Sequence, residues 1–174
     1  MRQVLPLIIL LFSFPLFSQV KEKVPPTDAI VVSGLVEKEI TFGIAEISAI
    51  TSRPVADVVI TNHVGEPRGT AKGLRGVLVK DLLSGVTIKS ESPKVLSEFY
   101  FTFIASDGYT VVYSWNELFN SPNGENCYLI VEKDGKKLFE MPERMLVITP
   151  TDFKTGRRHI KGLSRISVAR ASKN

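Results

Sequence analysis

Sulfur and imidazole are scarce in this chain: its 174 residues include one cysteine, Cys127, and two histidines, His63 and His159. A single thiol excludes an internal disulfide framework, a four-Cys zinc site and a Cys-x-x-Cys redox pair. The two histidines stand far apart, so no zinc-type His-Glu-x-x-His pair exists, and no metal or Ser-His-Asp constellation is spelled by spacing. Gly-x-Ser-x-Gly, the phosphate-cradling Gly-x-x-x-x-Gly-Lys-Ser/Thr and a helix-opening Gly-x-Gly-x-x-Gly are all missing. The carboxylates are scattered, and no pair of them suggests glycoside hydrolysis. No stretch reaches the 18 or so apolar residues of a membrane-spanning helix. Repeats and Ser- or Gly-rich linkers are also absent. Residue chemistry alone does not make this an enzyme.

The remaining composition is ordinary, with 44% hydrophobic and 23% charged residues. A chain of this size suits one domain with a sizeable core. The amino terminus reads as a targeting segment: Arg2 carries one positive charge, an apolar run follows from Val4 to Phe17, and Ser18 is a small residue at a plausible cleavage point. Pro6 and Pro15 argue against a core helix there. The expectation is a signal peptide over 1–18, an extended lead-in over 19–28 with Pro25–Pro26, and a single domain over 29–170. That organisation implies a periplasmic or secreted protein. Cys127, in the apolar stretch Cys127–Val131, then reads as a buried small hydrophobe.

Short strands and short helices alternate along the rest. Ala29–Val36 is β-branched and reads as a strand. Ile44, Ile47 and Ile50 recur at helical spacing, and Arg53–Pro54 closes that helix. Val55–Thr61 alternates as a strand. Asn62–Arg75, with three Gly and one Pro, reads as a long loop of the kind that carries function. Leu78–Leu83 reads as a turn or two of helix. Phe99–Ala105 and Tyr109–Tyr113 face each other across Ser106–Asp107–Gly108, and Ser114-x-x-Glu117 is a capping box. Asn126–Lys133 and Lys136–Met141 form a hairpin about Asp134–Gly135, and Met145–Thr149 and Ile160–Val168 supply the last strands. The fold class is α+β, mixed and mainly antiparallel.

Charge is uneven. Thr151–Asn174 carries seven Lys/Arg against one acid, Asp152. Within it, Gly156-Arg157-Arg158-His159-Ile160-Lys161 is a short loop whose backbone amides and cations suit a phosphate or another anion. Aromatics are not interleaved with these bases, and export would remove the partner, so nucleic acid is not expected.

Four segments in order resemble the molybdopterin-binding domain of sulfite-oxidase-type oxidoreductases. They are Leu35–Val36 with Ile40-Thr41-Phe42 and Ile44-Ala45-Glu46-Ile47; Leu74-Arg75-Gly76-Val77-Leu78-Val79-Lys80-Asp81-Leu82-Leu83; Phe103-Ile104-Ala105-Ser106-Asp107-Gly108-Tyr109; and Leu146-Val147-Ile148-Thr149-Pro150 followed by Gly156–Lys161. The resemblance implies that fold, with β-layers and short helices. It also implies a molybdenum held by a Cys thiolate after the strand preceding the Gly76 segment, which here falls near Thr61-Asn62-His63, where no Cys stands. Asn62, His63, Arg158, His159 and Lys161 are the expected ligand-contacting residues, the last three matching the stretch that approaches the pterin phosphate. Asp107 and Tyr109 read as turn and core residues, and no catalytic or metal-ligating residue is named. The leading expectation is an exported module of molybdopterin-binding fold that has lost redox catalysis and its cofactor, and holds an anionic or phosphate-bearing ligand or a partner. Its rivals are a molybdopterin-dependent oxidoreductase with a non-Cys metal environment, and a structural module with no ligand.

Overall fold

Strict inward–outward alternation sets the first sheet. In Phe99–Ala105 every second residue (Phe99, Phe101, Phe103, Ala105) is buried, as the two-residue period of a half-covered strand requires. The computed structural model describes residues 23–172; the expected signal peptide over 1–18 lies outside the described residues. In chain order the elements are β1 Ala29–Gly34, β2 Ile40–Gly43, α1 Ile44–Ala49, β3 Arg53–Val55, β4 Val58–Thr61, β5 Pro67–Ala71, β6 Leu74–Leu78, α2 Val79–Leu82, β7 Phe99–Ala105, β8 Thr110–Ser114, α3 Trp115–Phe119, β9 Tyr128–Lys133, β10 Lys136–Lys137, β11 Leu146–Ile148 and β12 Leu163–Arg170. The protein is α+β, with mostly antiparallel sheets and few, short helices.

The first sheet has the order β2-β1-β12-β7-β8 and is antiparallel except where β1 runs parallel to β12. The second has the order β10-β9-β6-β3, with β11 also paired to β9. β4 and β5 form a separate two-stranded ribbon. Ile30, Val32, Phe101, Phe103, Ile166 and Val168 of the first sheet share one buried cluster with Leu74, Leu129, Ile130, Leu146 and Ile148 of the second. Wholly buried β11 is the kind of continuous apolar strand that coverage on both faces requires.

Local chemistry explains the connections. Asp134 and Gly135 both adopt positive φ, 51° and 75°, as a two-residue type I′ hairpin demands. Ser114 and Glu117 close a reciprocal capping box on α3, satisfying amides that the first turn leaves orphaned. Gly34 has φ 93°, and a Cβ there would stand 2.3 Å from the Val168 carbonyl, so close strand approach and backbone conformation both require glycine.

Four expectations about elements change. Asn62–Arg75 is not one loop: it holds β5 and the start of β6. Four of the five β5 residues are exposed, so the ribbon lacks the apolar period that marks a strand covered on one face. Arg53–Pro54 opens β3 rather than merely closing a helix, and Val55–Thr61 divides where the chain leaves the second sheet for the ribbon. Lys136–Met141 pairs over Lys136–Lys137 only, while Leu138 and Met141 turn inward to fill the core.

The described part of the lead-in is fastened down. Thr27 Oγ1 donates to the Leu163 carbonyl at 2.8 Å, Ser106 Oγ donates to the Pro25 carbonyl, and Asp28 pairs with Arg144. Among the described residues, no helix is long and apolar enough to cross a membrane.

Candidate functional site

The segment carrying the expected anion-binding residues is positioned by one buried hydroxyl. Thr155 opens a 3-10 turn over Thr155–Arg158; its Oγ1 accepts from the Thr61 amide at 3.0 Å and donates to the Val59 carbonyl at 2.6 Å. The turn is thereby locked along β4. Gly156 lies so close to Thr61 that a Cβ would be 1.8 Å from its carbonyl oxygen; only glycine fits without displacing the backbone. The end of β4 and, packed beside it, Gly156, His159 and Lys161 line a cleft of about 1030 Å³.

Three of the five expected residues meet in that cleft: Asn62, His159 and Lys161 all line it. Arg68 and Thr70 of β5, Lys133 of β9, Glu143, Asp107, Tyr109 and Lys23 complete its polar lining. Asn62 turns most of its polar capacity back on its own chain. Its Oδ1 accepts from the amides of Val64, Gly65 and Glu66 at 2.9–3.0 Å, and its Nδ2 donates to Glu66 at 2.8 Å. This is local side-chain-to-backbone turn chemistry. His63 is exposed beyond the cleft lining, and its carbonyl accepts from Arg157 at 3.4 Å.

Arg158 points elsewhere, into a packed cluster. Its guanidinium forks onto Asp152, with Nε to Oδ2 at 2.7 Å, and donates to Glu117 Oε1 at 2.9 Å. It also lies 4.6 Å from the Tyr113 ring centroid. The Asp152 hydrogen bond, outweighing burial, holds the guanidinium above its ordinary pKa. Behind it, the Tyr113 hydroxyl meets that of Thr149 at 3.0 Å, and burial, first among several causes, pushes Tyr113 up. Burial also pushes the Cys127 thiol up to about 11, against hydrogen bonds with Thr149 and Tyr113.

The cleft differs in electrostatics. Burial lowers His159 to about 4, helped by the charges of Lys161 and Lys133 and opposed by Glu143; its imidazole is neutral at pH 7. Burial works to raise Glu143, but the hydrogen bond from Lys133 and the charges of Lys133 and Lys161 prevail and hold it below the ordinary carboxylate value. Lys133 Nζ donates to Glu143 Oε1 at 2.7 Å. The second oxygen, Oε2, is buried with no partner, as is Thr61 Oγ1. An unsatisfied buried polar atom costs about 1–3 kcal/mol, and both of these belong to residues that line the cleft.

The donor set does not fit a thiolate-bound molybdenum. Near the place that the resemblance implies for the thiolate stand a Thr hydroxyl, an Asn whose amide is spent on its own turn, and the exposed imidazole of His63. Cys127, the lone thiol, is 1% exposed, lies outside the cleft lining and stays protonated. Soft thiolate ligation is not reproduced by a hydroxyl or an amide. Among the described residues, no three His, Cys, Asp or Glu side chains gather into a metal site.

Lys133, Glu143 and Arg68 were not legible as site residues. Lys133 sits in a hairpin and Glu143 ten positions on, with no spacing that announces the pair. Tyr109, expected in the core, is 41% exposed and its hydroxyl donates to the Arg157 carbonyl at 2.7 Å. Being tyrosine next to a turn, it offered an apolar body and a polar tip, and the tip won.

No family model matches the chain, and no curated protein matches it. Among solved structures, the fold is similar to that of the sulfane dehydrogenase SoxCD from Paracoccus pantotrophus, with a TM-score of 0.61 and 12% identity over 80% of this chain. The match covers 37% of that chain, so this chain spans well under half the length of the enzyme subunit it resembles. At that identity the likeness is one of fold, and function must be argued from the site.

Proposed function

We propose that this protein is a non-redox binding module on a sulfite-oxidase-type molybdopterin-binding fold, and that its cleft takes an anionic, phosphate-bearing small ligand. The observation that carries the reading is the cleft itself. Lys161, Lys133, Arg68 and Lys23 line it against only Asp107 and Glu143, and its wall has no sulfur donor. Lys161 makes no salt bridge or side-chain hydrogen bond among the described residues, so its ammonium keeps its donors for a ligand while its charge also acts on Glu143 and His159. Neutral His159 and the turn Thr155–Arg158 shape the wall without adding charge there. The apolar run Val4–Phe17 fits the same reading as an export signal, with the module working in the periplasm or outside the cell.

Inorganic phosphate, added to the purified protein, should raise its Tm, and Lys161→Ala should remove most of that rise. A wild-type Tm indifferent to phosphate overturns the anion site. Protein made in a host competent for the pterin cofactor should contain no stoichiometric molybdenum by elemental analysis; one metal per chain would restore the oxidoreductase reading.

A further inference from the structure

We propose that the ligand of this cleft is a hydroxyl-bearing phosphomonoester, of the sugar or polyol phosphate class, whose hydroxyls are received by Glu143 and Thr61; this rests on the anion-binding reading and specifies it. Two buried acceptors without partners, Glu143 Oε2 and Thr61 Oγ1, belong to residues that line the same cleft as the cations. Buried polar atoms are nearly always satisfied, so each exception points to a donor from outside the chain. The Lys133–Glu143 pair gives the mechanism. Its side chains are 22% and 15% exposed, and both residues line the cleft. A phosphate bound beside Lys161 draws the Lys133 ammonium forward, and the hydrogen bond to Glu143 Oε1 weakens. The carboxylate, already short of one donor, then lacks two.

A bare anion leaves that carboxylate uncompensated. An anion carrying hydroxyl groups replaces the lost donors, because O–H donates well to an ionised carboxylate. Thr61 reaches the same ligand by rotation about χ1 between staggered positions. Its hydroxyl can accept from a ligand O–H or donate to the oxygen of a ligand hydroxyl. Glu143 stays ionised for this role under the charges of Lys133 and Lys161. Recognition by acceptors that are otherwise orphaned discriminates strongly against an analogue lacking the hydroxyls.

Two probes separate the anion from its hydroxyls: glucose 6-phosphate and phenyl phosphate, titrated calorimetrically at pH 7 into the full chain. Glucose 6-phosphate should bind about tenfold more tightly, the worth of one or two net hydrogen bonds. Thr61→Val and Glu143→Gln should each bring that ratio below about threefold. Phenyl phosphate affinity should stay within about twofold in Thr61→Val, which alters no charge. Thermal melts of both variants establish folding, and either folded variant is sufficient. Equal binding of the two phosphates by the wild type, or an unchanged ratio in a folded variant, overturns the hydroxyl assignment and leaves the anion site standing. If neither phosphate binds, both readings fall together.

Discussion

Two neighbouring cationic regions of this molecule, centred on Arg158 and on Lys161 three positions later, are built on opposite terms. Around Arg158, each donor that matters has a carboxylate partner: Asp152 takes the fork, Glu117 takes the other nitrogen, and the Tyr113 face covers the plane. Around Lys161, charge is left over and acceptors are left bare. The first region ties α3, the Asp152 turn and, through Tyr113 of β8, the first sheet together. The second is arranged for something that comes from outside. A run of basic residues is thus not one feature but two, and neighbours within it differ in whether their charge is already spent.

Removing the spent charge should have the largest effect. Arg158→Ala leaves Asp152 and Glu117 without a cation in a half-buried site, and should lower unfolding free energy by about 3 kcal/mol in urea titration. That figure is at the low end for buried pairs because the Glu117 side chain is 38% exposed. A loss below about 1 kcal/mol would make Arg158 another surface cation and erase the contrast.

Next comes acid. The unfolded chain binds a proton on His159 near its ordinary pKa of 6.5, whereas the folded chain refuses it until about 4. Within that window the unfolded state holds more protons, so stability falls as pH drops from 6.5 to 4, by about 2–3 kcal/mol. Lys161, Lys133 and Glu143 are the charged groups that act on this imidazole. Glu143 and Glu117, both held low, add losses of the same sign at still lower pH. His159→Gln should flatten the upper part of the curve; an unaltered curve would show that His159 is solvated in the folded state.

Tyr113→Phe removes the hydroxyl bonded to Thr149 and should cost about 1 kcal/mol, read by the same titration. Smallest of all, Lys161→Ala should change stability by less than about 0.5 kcal/mol while removing most of the phosphate-dependent rise in Tm. A large stability loss there would move Lys161 into the structural region and reverse the comparison.

The sequence foretold the strands with the plainest local chemistry. The Phe99–Ala105 strand, the Asp134–Gly135 turn and the Ser114/Glu117 box are each encoded within a few residues, and all three appear where expected. β5 was invisible because neither face of its ribbon is well covered, so no apolar period exists to read. The site was legible only in part. His159 and Lys161 lie beside the glycine that the turn requires, and their segment was recognisable. Arg158 looked equivalent to them, yet its direction is set by Asp152 and by Glu117, 41 positions earlier, and no local pattern encodes that. Lys133 and Glu143 enter the cleft through sheet pairing and a loop return, which only the folded chain brings together.

β12, residues 163–170, lies between β1 and β7 and pairs with both. The middle plank of the first sheet is therefore made after every other described strand, and β1 must wait through more than a hundred residues of synthesis for its neighbour. Nothing made before that moment can close the sheet, so a chain truncated ahead of Leu163 would leave two separated edges rather than a smaller version of the same protein.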